Sequence, residues 1–263
     1  TVAISEFYQD DQKKGRLASS EMRDASGALW TSSSNIWEVI QPYPEASSRT
    51  VRLIQSDSCS YDGDSTFKQT RQRISYDYVG NVVTNYSDGD VSVTGDERTT
   101  ATTFVYNTNA WVLGCASFSQ VRDANGVVVA QRRFFYDGAS DLAAPPVKAN
   151  LTRDEAWLDR DQNGTVSRWM GGRATFDACG NVVTISDMLN NVVSNEYDAA
   201  TRSFVVRVTN PLGHARSMSY DPRFGVMLTS TDVAGVASST EYDALGRVVK
   251  VIGPDDTSAL PSV

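Results

Sequence analysis

The chain has 263 residues, 40% of them hydrophobic, and a net charge of −8 from 32 acidic and 24 basic side chains. That length suits one large or two ordinary domains, and no apolar run approaches the about 18 residues a membrane-crossing helix needs. The acidic balance repels phosphate and argues against a nucleic-acid partner.

No basic-then-apolar leader opens the sequence, and Thr1-Val2 reads as the start of a piece cut from something longer. Around Gly15-Arg16-Leu17, Arg23 to Gly27 and Trp37-Glu38-Val39 the pattern is strand, turn and returning strand, with Lys13 to Met22 able to hold a short helical turn. Pro42 and Pro44 mark a loop. Asp141 to Ala149, with Pro145 and Pro146, is the most linker-like stretch, and Leu151 to Leu158 after it is the second place for a helical turn. The expected organisation is one continuous sheet with an excursion at that linker: a divergent, decorated part over 1–145, regular repeats over 146–253, and a coil tail over 254–263.

The regular part carries the main signal. Tyr is followed by Asp at Tyr61, Tyr76, Tyr136, Tyr197, Tyr220 and Tyr242, and the last three are 23 and 22 residues apart. Eleven residues before each of those three begins a matching string: Ser186 to Asn190, Thr209 to Gly213, Thr231 to Gly235. A fixed period near 22 indicates a repeat architecture. Within it Asp or Asn recurs at Asp177, Asp187, Asp198, Asn210, Asp221, Asp232 and Asp243, in steps of 10 to 12. Several open the pattern Asp/Asn-x-x-Gly, ending at Gly180, Gly213, Gly235 and Gly246; Asp24–Gly27, Asp77–Gly80, Asp123–Gly126 and Asp161–Gly164 repeat it upstream. Asp or Asn suits the first place of a type I turn, where its side chain accepts a backbone N–H two residues on, and Gly suits the left-handed place that closes a hairpin with a bulge. Strand-like runs such as Phe204 to Val208 and Val248 to Ile252 lie between the turns. The expectation is all-β: tandem antiparallel hairpins, with Gly180, Gly213, Gly235 and Gly246 at positive φ and unpaired edges at the end hairpins.

The strings Tyr242-Asp243-Ala244-Leu245-Gly246-Arg247-Val248-Val249 and Tyr76-Asp77-Tyr78-Val79-Gly80-Asn81-Val82-Val83 resemble the YD-repeat signature of Rhs proteins, a family that includes the B and C components of bacterial Tc toxins and, more distantly, the teneurins. Arg132 to Gly138, leading to Lys148 to Thr152, resembles chains that join an SpvB/TcdB-like portion to an Rhs portion. The resemblance implies a β-ribbon that spirals into a hollow shell around a C-terminal effector. The implied partners are the remainder of the parent chain or a partner shell subunit and the enclosed effector, and the implied location is secreted or cell-surface. Rhs shells often end in an autoproteolytic site built on Asp-Pro-x-Gly-Leu. Asp221-Pro222-Arg223-Phe224-Gly225 departs from that string and reads as an ordinary repeat turn, so self-cleavage is not expected.

Candidate chemistry is sparse. Asp159-Arg160-Asp161-Gln162-Asn163-Gly164 matches the first six places of a calcium loop, but Met170 stands where the bidentate Glu belongs, so a hairpin turn is the stronger reading for Asp159, Asp161 and Asn163. The single histidine, His214, follows a turn with no nucleophile motif beside it. Asp154, Glu155, Asp159 and Asp161 are dense enough for a glycosidase pair, yet turns already account for recurring Asp. Cys59, Cys115 and Cys179, far apart in sequence, fit neither a zinc site nor a dense disulfide framework; one disulfide with one free thiol stays open beside the stronger reading of mostly buried single thiols. The repeat residues, Tyr76, Asp77, Gly80, Tyr136, Asp137, Asp177, Gly180, Tyr197, Asp198, Gly213, Tyr220, Asp221, Gly235, Tyr242, Asp243 and Gly246, are read as structural. Tyr197, Tyr220 and Tyr242 should share one face and pack across strands, at about 0.2–1 kcal/mol per pair. Trp30, Trp37, Trp111, Trp157 and Trp169 are scattered away from the regular Tyr-Asp repeats and are read as sealing the irregular part, which is also where a partner surface is to be sought. The chain is thus expected to be a non-enzymatic shell segment without cofactor or metal. The alternative is an extracellular adhesion or carbohydrate-binding module that stacks sugars on exposed aromatics.

Overall fold

The computed structural model describes residues 1–41, 48–63, 66–160 and 166–262. Strands and turns make up the described residues, which contain no helix. The chain forms two units, one of residues 1–134 with 141–147, the other of residues 135–140 with 148–263.

The first unit holds β1 (Val2–Phe7), β2 (Leu17–Arg23), β3 (Leu29–Ile40), β4 (Thr50–Tyr61), β5 (Phe67–Tyr76), β6 (Val82–Asp90), β7 (Arg98–Asn107), β8 (Val112–Asp123) and most of β9 (Val128–Tyr136). The second holds β10 (Leu151–Arg160), β11 (Val166–Phe176), β12 (Val182–Asp187), β13 (Val192–Tyr197) and β14 (Val205–Thr209). It continues with β15 (Ala215–Asp221), β16 (Val226–Thr231), β17 (Ala237–Tyr242) and β18 (Val248–Ile252). In the first unit every strand from β1 to β8 pairs antiparallel with the next. The second is the same meander from β10 to β18. Strands β12 to β18 have five to seven residues, as the eleven-residue beat requires, whereas β3, β4 and β8 have twelve.

Neither stretch able to hold a helical turn is helix: Lys13 to Gly15 is a turn, and the rest is mostly strand. Leu17 to Met22 lies in β2, and Leu151 to Leu158 lies in β10, paired with β11 from Arg153 to Arg160. Residues such as Glu155, Ala156 and Leu158 favour helix in isolation, but a neighbouring strand in register overrides so weak a preference.

The bulges fall where the turns need them. Register slips at Tyr76, Tyr197, Tyr220 and Tyr242, where one extra residue (Val83, Val206, Leu228 and Val249) enters the strand that returns from each turn. The left-handed places follow: φ is 87° at Gly180, 82° at Gly213, 84° at Gly235 and 78° at Gly246, and Asn190 takes the same place at 61°. A different constraint governs Gly171, opposite Glu155 on β10: a Cβ there would lie 1.8 Å from the Asp154 carbonyl oxygen. The backbones of β10 and β11 approach too closely for any side chain.

Few side chains are buried. Among the described residues Val105, Cys115 and Phe135 are the buried hydrophobic positions, with Pro146, Asp57 and Ser117. The accessible surface is 16,494 Å², against roughly 11,000 Å² for a compact monomer of this mass. Apolar residues therefore stay exposed along the strands and turns, for example Ile4, Leu189, Leu212 and Leu245. At the far end, the segment after β18 folds back: Ser262 N–H donates to the Val251 carbonyl, and the Asp256 carboxylate accepts from Gly253 N–H at 2.6 Å and Ser262 N–H at 3.0 Å.

Two glycines should respond very differently to alanine. Gly213→Ala places a Cβ in the left-handed region with open space around it and should cost about 1–2 kcal/mol. Gly171→Ala must part β10 from β11 and should cost several times more in urea denaturation. Equal losses would contradict the close approach.

Candidate functional site

Five turns of the second unit are each organised by one side-chain oxygen that accepts two backbone N–H groups. Asp177 Oδ1 takes Cys179 at 2.8 Å and Asn181 at 2.9 Å; Asp187 takes Leu189 and Asn191; Asp232 takes Ala234 and Val236; Asp243 takes Leu245 and Arg247. Asn210 does the same with its amide oxygen toward Leu212 and His214, both at 3.0 Å. Hydrogen bonds to the ionised form hold the carboxyls of Asp177, Asp187 and Asp243 below their usual range. The Asn181 backbone N–H does so for Asp177, the Asn191 side chain for Asp187 and the Arg247 backbone N–H for Asp243. Asp198 is lowered furthest, by the N–H groups of Phe204, Thr201 and Ser203. His214 is a turn residue, as its sequence position implies.

The tyrosine-bearing turns of the second unit are also joined to one another. Asn181 Nδ2 donates to the Arg202 carbonyl at 2.8 Å, tying the turn after β11 to the turn after β13. Phe204, leaving that turn, lies against the next: a Cβ on Gly225 would be 3.6 Å from its ring. Phe224 in turn lies 3.0 Å from the corresponding point on Gly246. A row of turn-to-turn contacts thus runs along one edge of this unit. The strand registers place Tyr197, Tyr220 and Tyr242 on one face. Their roles are not identical. Tyr197 donates its hydroxyl to the Val182 carbonyl at 3.1 Å, and Tyr242 to the Met227 carbonyl at 2.9 Å, each at the start of the preceding strand. Tyr220 instead stacks on Phe204, with centroids 5.1 Å apart and planes 18° off parallel.

In the first unit Tyr76 makes the analogous bond to the Leu53 carbonyl at 2.7 Å. Asp77 accepts from Val79, Gly80 and Asn81, and also from the Tyr106 hydroxyl at 2.5 Å. Burial pushes Asp77 upward, but the Tyr106 and Asn81 hydrogen bonds outweigh it and its carboxyl is net lowered. Burial and the Asp77 carboxylate push the Tyr106 phenol up to about 12. Asp57 is the one buried carboxylate among the described residues, satisfied by Gln55, Gln69 and Arg71 at 2.7–2.8 Å. No sequence motif signals that cluster; the alternation Gln55/Asp57 and Gln69/Arg71 on adjacent strands is its only trace.

Tyr136-Asp137 opens a long loop in place of a tight hairpin. The Asp137 carboxylate accepts from Lys148 N–H at 2.9 Å and Asn150 N–H at 3.0 Å, so the same turn device closes around an insertion. Asp221 is held by Arg223, whose guanidinium lies 2.6 Å away, and its turn closes through Gly225 N–H to the Asp221 carbonyl. The calcium reading falls outside the described residues, which stop before Asp161 and Asn163 and leave the Asp159 side chain undescribed. Among the described residues no group of three His, Cys, Asp or Glu side chains is placed to hold a metal. The cysteines differ from expectation: all three are free thiols, but only Cys115 is buried, and Cys179 is exposed because it occupies the third place of the Asp177 turn. Trp37 donates its indole N–H to the Leu17 carbonyl, whereas Trp30 and Trp111 are exposed.

Two predictions follow from this geometry. Tyr197→Phe and Tyr242→Phe should each lose about 0.5–1.5 kcal/mol in urea denaturation, while Tyr220→Phe, whose hydroxyl makes no such bond, should change little. The carboxyls of Asp177, Asp187, Asp198 and Asp243 have folded-state pKa values below their unfolded values near 3.9. Their stabilisation is therefore complete above that pH and is lost as pH falls through the folded values. Stability should hold from pH 7 to about 5 and drop below about 4. Replacing Asp177, Asp187 and Asp243 by Asn, as Asn210 already is, should flatten the drop; an unchanged acid profile would contradict the assignment.

No family model and no curated protein matches the chain. Solved structures do. The crystal structure of TcdB2-TccC3-Cdc42 superposes with a TM-score of 0.68 at 16% identity over 93% of this chain. TcdB2-TccC3 without its hypervariable C-terminal region gives 0.68 at 16% over 91%. The Photorhabdus luminescens Tc holotoxin pore gives 0.66 at 14% over 93%. This chain spans only 16–17% of the length of those chains. The chain therefore shares the all-β fold of a segment of these Tc-toxin structures.

Proposed function

We propose that this chain is a structural, non-catalytic wall segment of a secreted or cell-surface Tc-toxin-like Rhs protein, in which repeated hairpins form part of a shell around a C-terminal effector. The observation that carries the reading is the uncovered sheet: an accessible surface of 16,494 Å², about one and a half times the compact expectation. A self-contained enzyme or binding domain of this length closes over its own core; a wall leaves its faces and edges to the rest of the parent chain. The fold match to Tc-toxin structures over 93% of the chain supports the same reading. The turn residues fit it as well, since Asp177, Asp187, Asp198, Asn210 and Asp243 spend their side-chain oxygens on backbone N–H groups. No helix among the described residues is long and apolar enough to cross a membrane.

The test uses the parent protein carrying a protease-sensitive reporter at its C-terminus. The intact parent should protect the reporter, and Gly171→Ala, which opens one strand pair, should expose it while His214→Ala leaves protection unchanged. A reporter cleaved equally fast in the intact parent and in free form would overturn the wall assignment.

A further inference from the structure

The cross-strand register sets Arg153 on β10 directly opposite Arg173 on β11. Two like charges at facing positions repel, and an acidic chain has carboxylates to spare. Other arginines use them: Arg23, Arg71, Arg73, Arg223 and Arg247 each lie 2.5–2.7 Å from a carboxylate oxygen. The opposed pair does not. Among the described residues neither guanidinium donates a hydrogen bond; Arg153 Nε is buried without an acceptor, and its one ionic neighbour, Glu155 Oε1, stands 3.6 Å away, beyond hydrogen-bonding range. The N–H donors of two opposed cations are thus left without protein acceptors among the described residues.

These arginines border an open cavity of about 230 Å³, closed on its other sides by Thr152 and the Gly138–Ser140 backbone. The walls are held in place. The Arg153 guanidinium carbon lies over the buried Phe135 ring, 3.7 Å from its centroid, a cation–π contact that holds it against this wall. The Thr152 hydroxyl accepts Gly138 N–H at 2.9 Å and donates to the Phe135 carbonyl at 3.1 Å, which fixes the loop. Arg173 and Ser140 are exposed and free to turn inward. Lys148 adds a third positive charge to this part of the chain; Glu155 and Asp137 oppose it, and Asp137 is already engaged by the loop's own N–H groups.

We propose that this cavity binds a tetrahedral oxyanion, sulfate or phosphate, between Arg153 and Arg173, with the Ser140 hydroxyl as a third donor. Donors that approach from two strands and a loop call for acceptor oxygens in several directions. A tetrahedral anion presents these, whereas a carboxylate holds both of its oxygens in one plane. The site is independent of the wall reading and stands or falls without it.

The test is an NMR titration of the full chain with inorganic sulfate and, separately, inorganic phosphate, at constant ionic strength maintained with chloride. The Nε–Hε signals of Arg153 and Arg173 should shift saturably. Arg173→Gln, at an exposed position, should weaken binding at least about tenfold with backbone amide signals otherwise retained, while Arg207→Gln on β14 should not change it. Phosphate binding that strengthens from pH 6 to 8 above a flat sulfate response identifies a phosphate site; the reverse ranking identifies a sulfate site. Linear shifts without saturation, equal affinity for acetate, or undiminished affinity in Arg173→Gln would each overturn the proposal.

Discussion

A side-chain oxygen of Asp or Asn that accepts backbone N–H groups across the turn is the interaction on which the rest of this chain depends. In a domain with a packed interior, strand register is fixed by which residues must be buried, and a slip of one residue exposes the core. Here so little is buried that this control is weak. Register is set instead where the strands reverse, by Asp or Asn at the first place and a left-handed residue three places on. Asn210 shows that the acceptor oxygen is what matters for geometry, while charge adds the acid sensitivity. Asn190 shows that the left-handed place tolerates the residue next most able to adopt it.

The turns would still be isolated hairpins without the links between them. The Tyr197 and Tyr242 hydroxyls reach the preceding strand, and Asn181, Phe204 and Phe224 pass contacts from one turn to the next. Stability in such an array is a sum over neighbours, so each repeat contributes locally and the ends are its weakest points. The segment that folds back beside β18 covers one such end through Asp256. Where the beat is interrupted, at Tyr136-Asp137, the same carboxylate device closes a long loop.

The regular repeats were legible because their turns are local: an Asp, a Gly three residues later and a tyrosine at fixed spacing report geometry that needs no distant partner. The same rule misled nothing at Asp177, Asn210, Asp232 or Asp243, whose glycines all have positive φ. Leu151 to Leu158 was not legible, because its strand form depends on β11, fifteen or so residues away, and its own composition favours helix. The Asp57 cluster and the opposed Arg153 and Arg173 were hidden for a related reason. Each exists only once two strands are aligned, and nothing in a single strand signals which residue will stand across from it. Cys179 was misjudged because its turn position, not its apolar character, decides its exposure.

The central claim is that turn geometry, and not a closed core, holds this chain in its fold. The heat-capacity change of unfolding measured by calorimetry tests that claim most directly, because it reports the apolar surface newly exposed. The folded chain buries about 60% of its unfolded surface, where a compact protein of similar length buries about 75%. The account predicts a value per residue clearly below the about 12–15 cal/mol/K of ordinary globular proteins. A value within or above that range would mean that the sheet closes over a core in solution, and would contradict it.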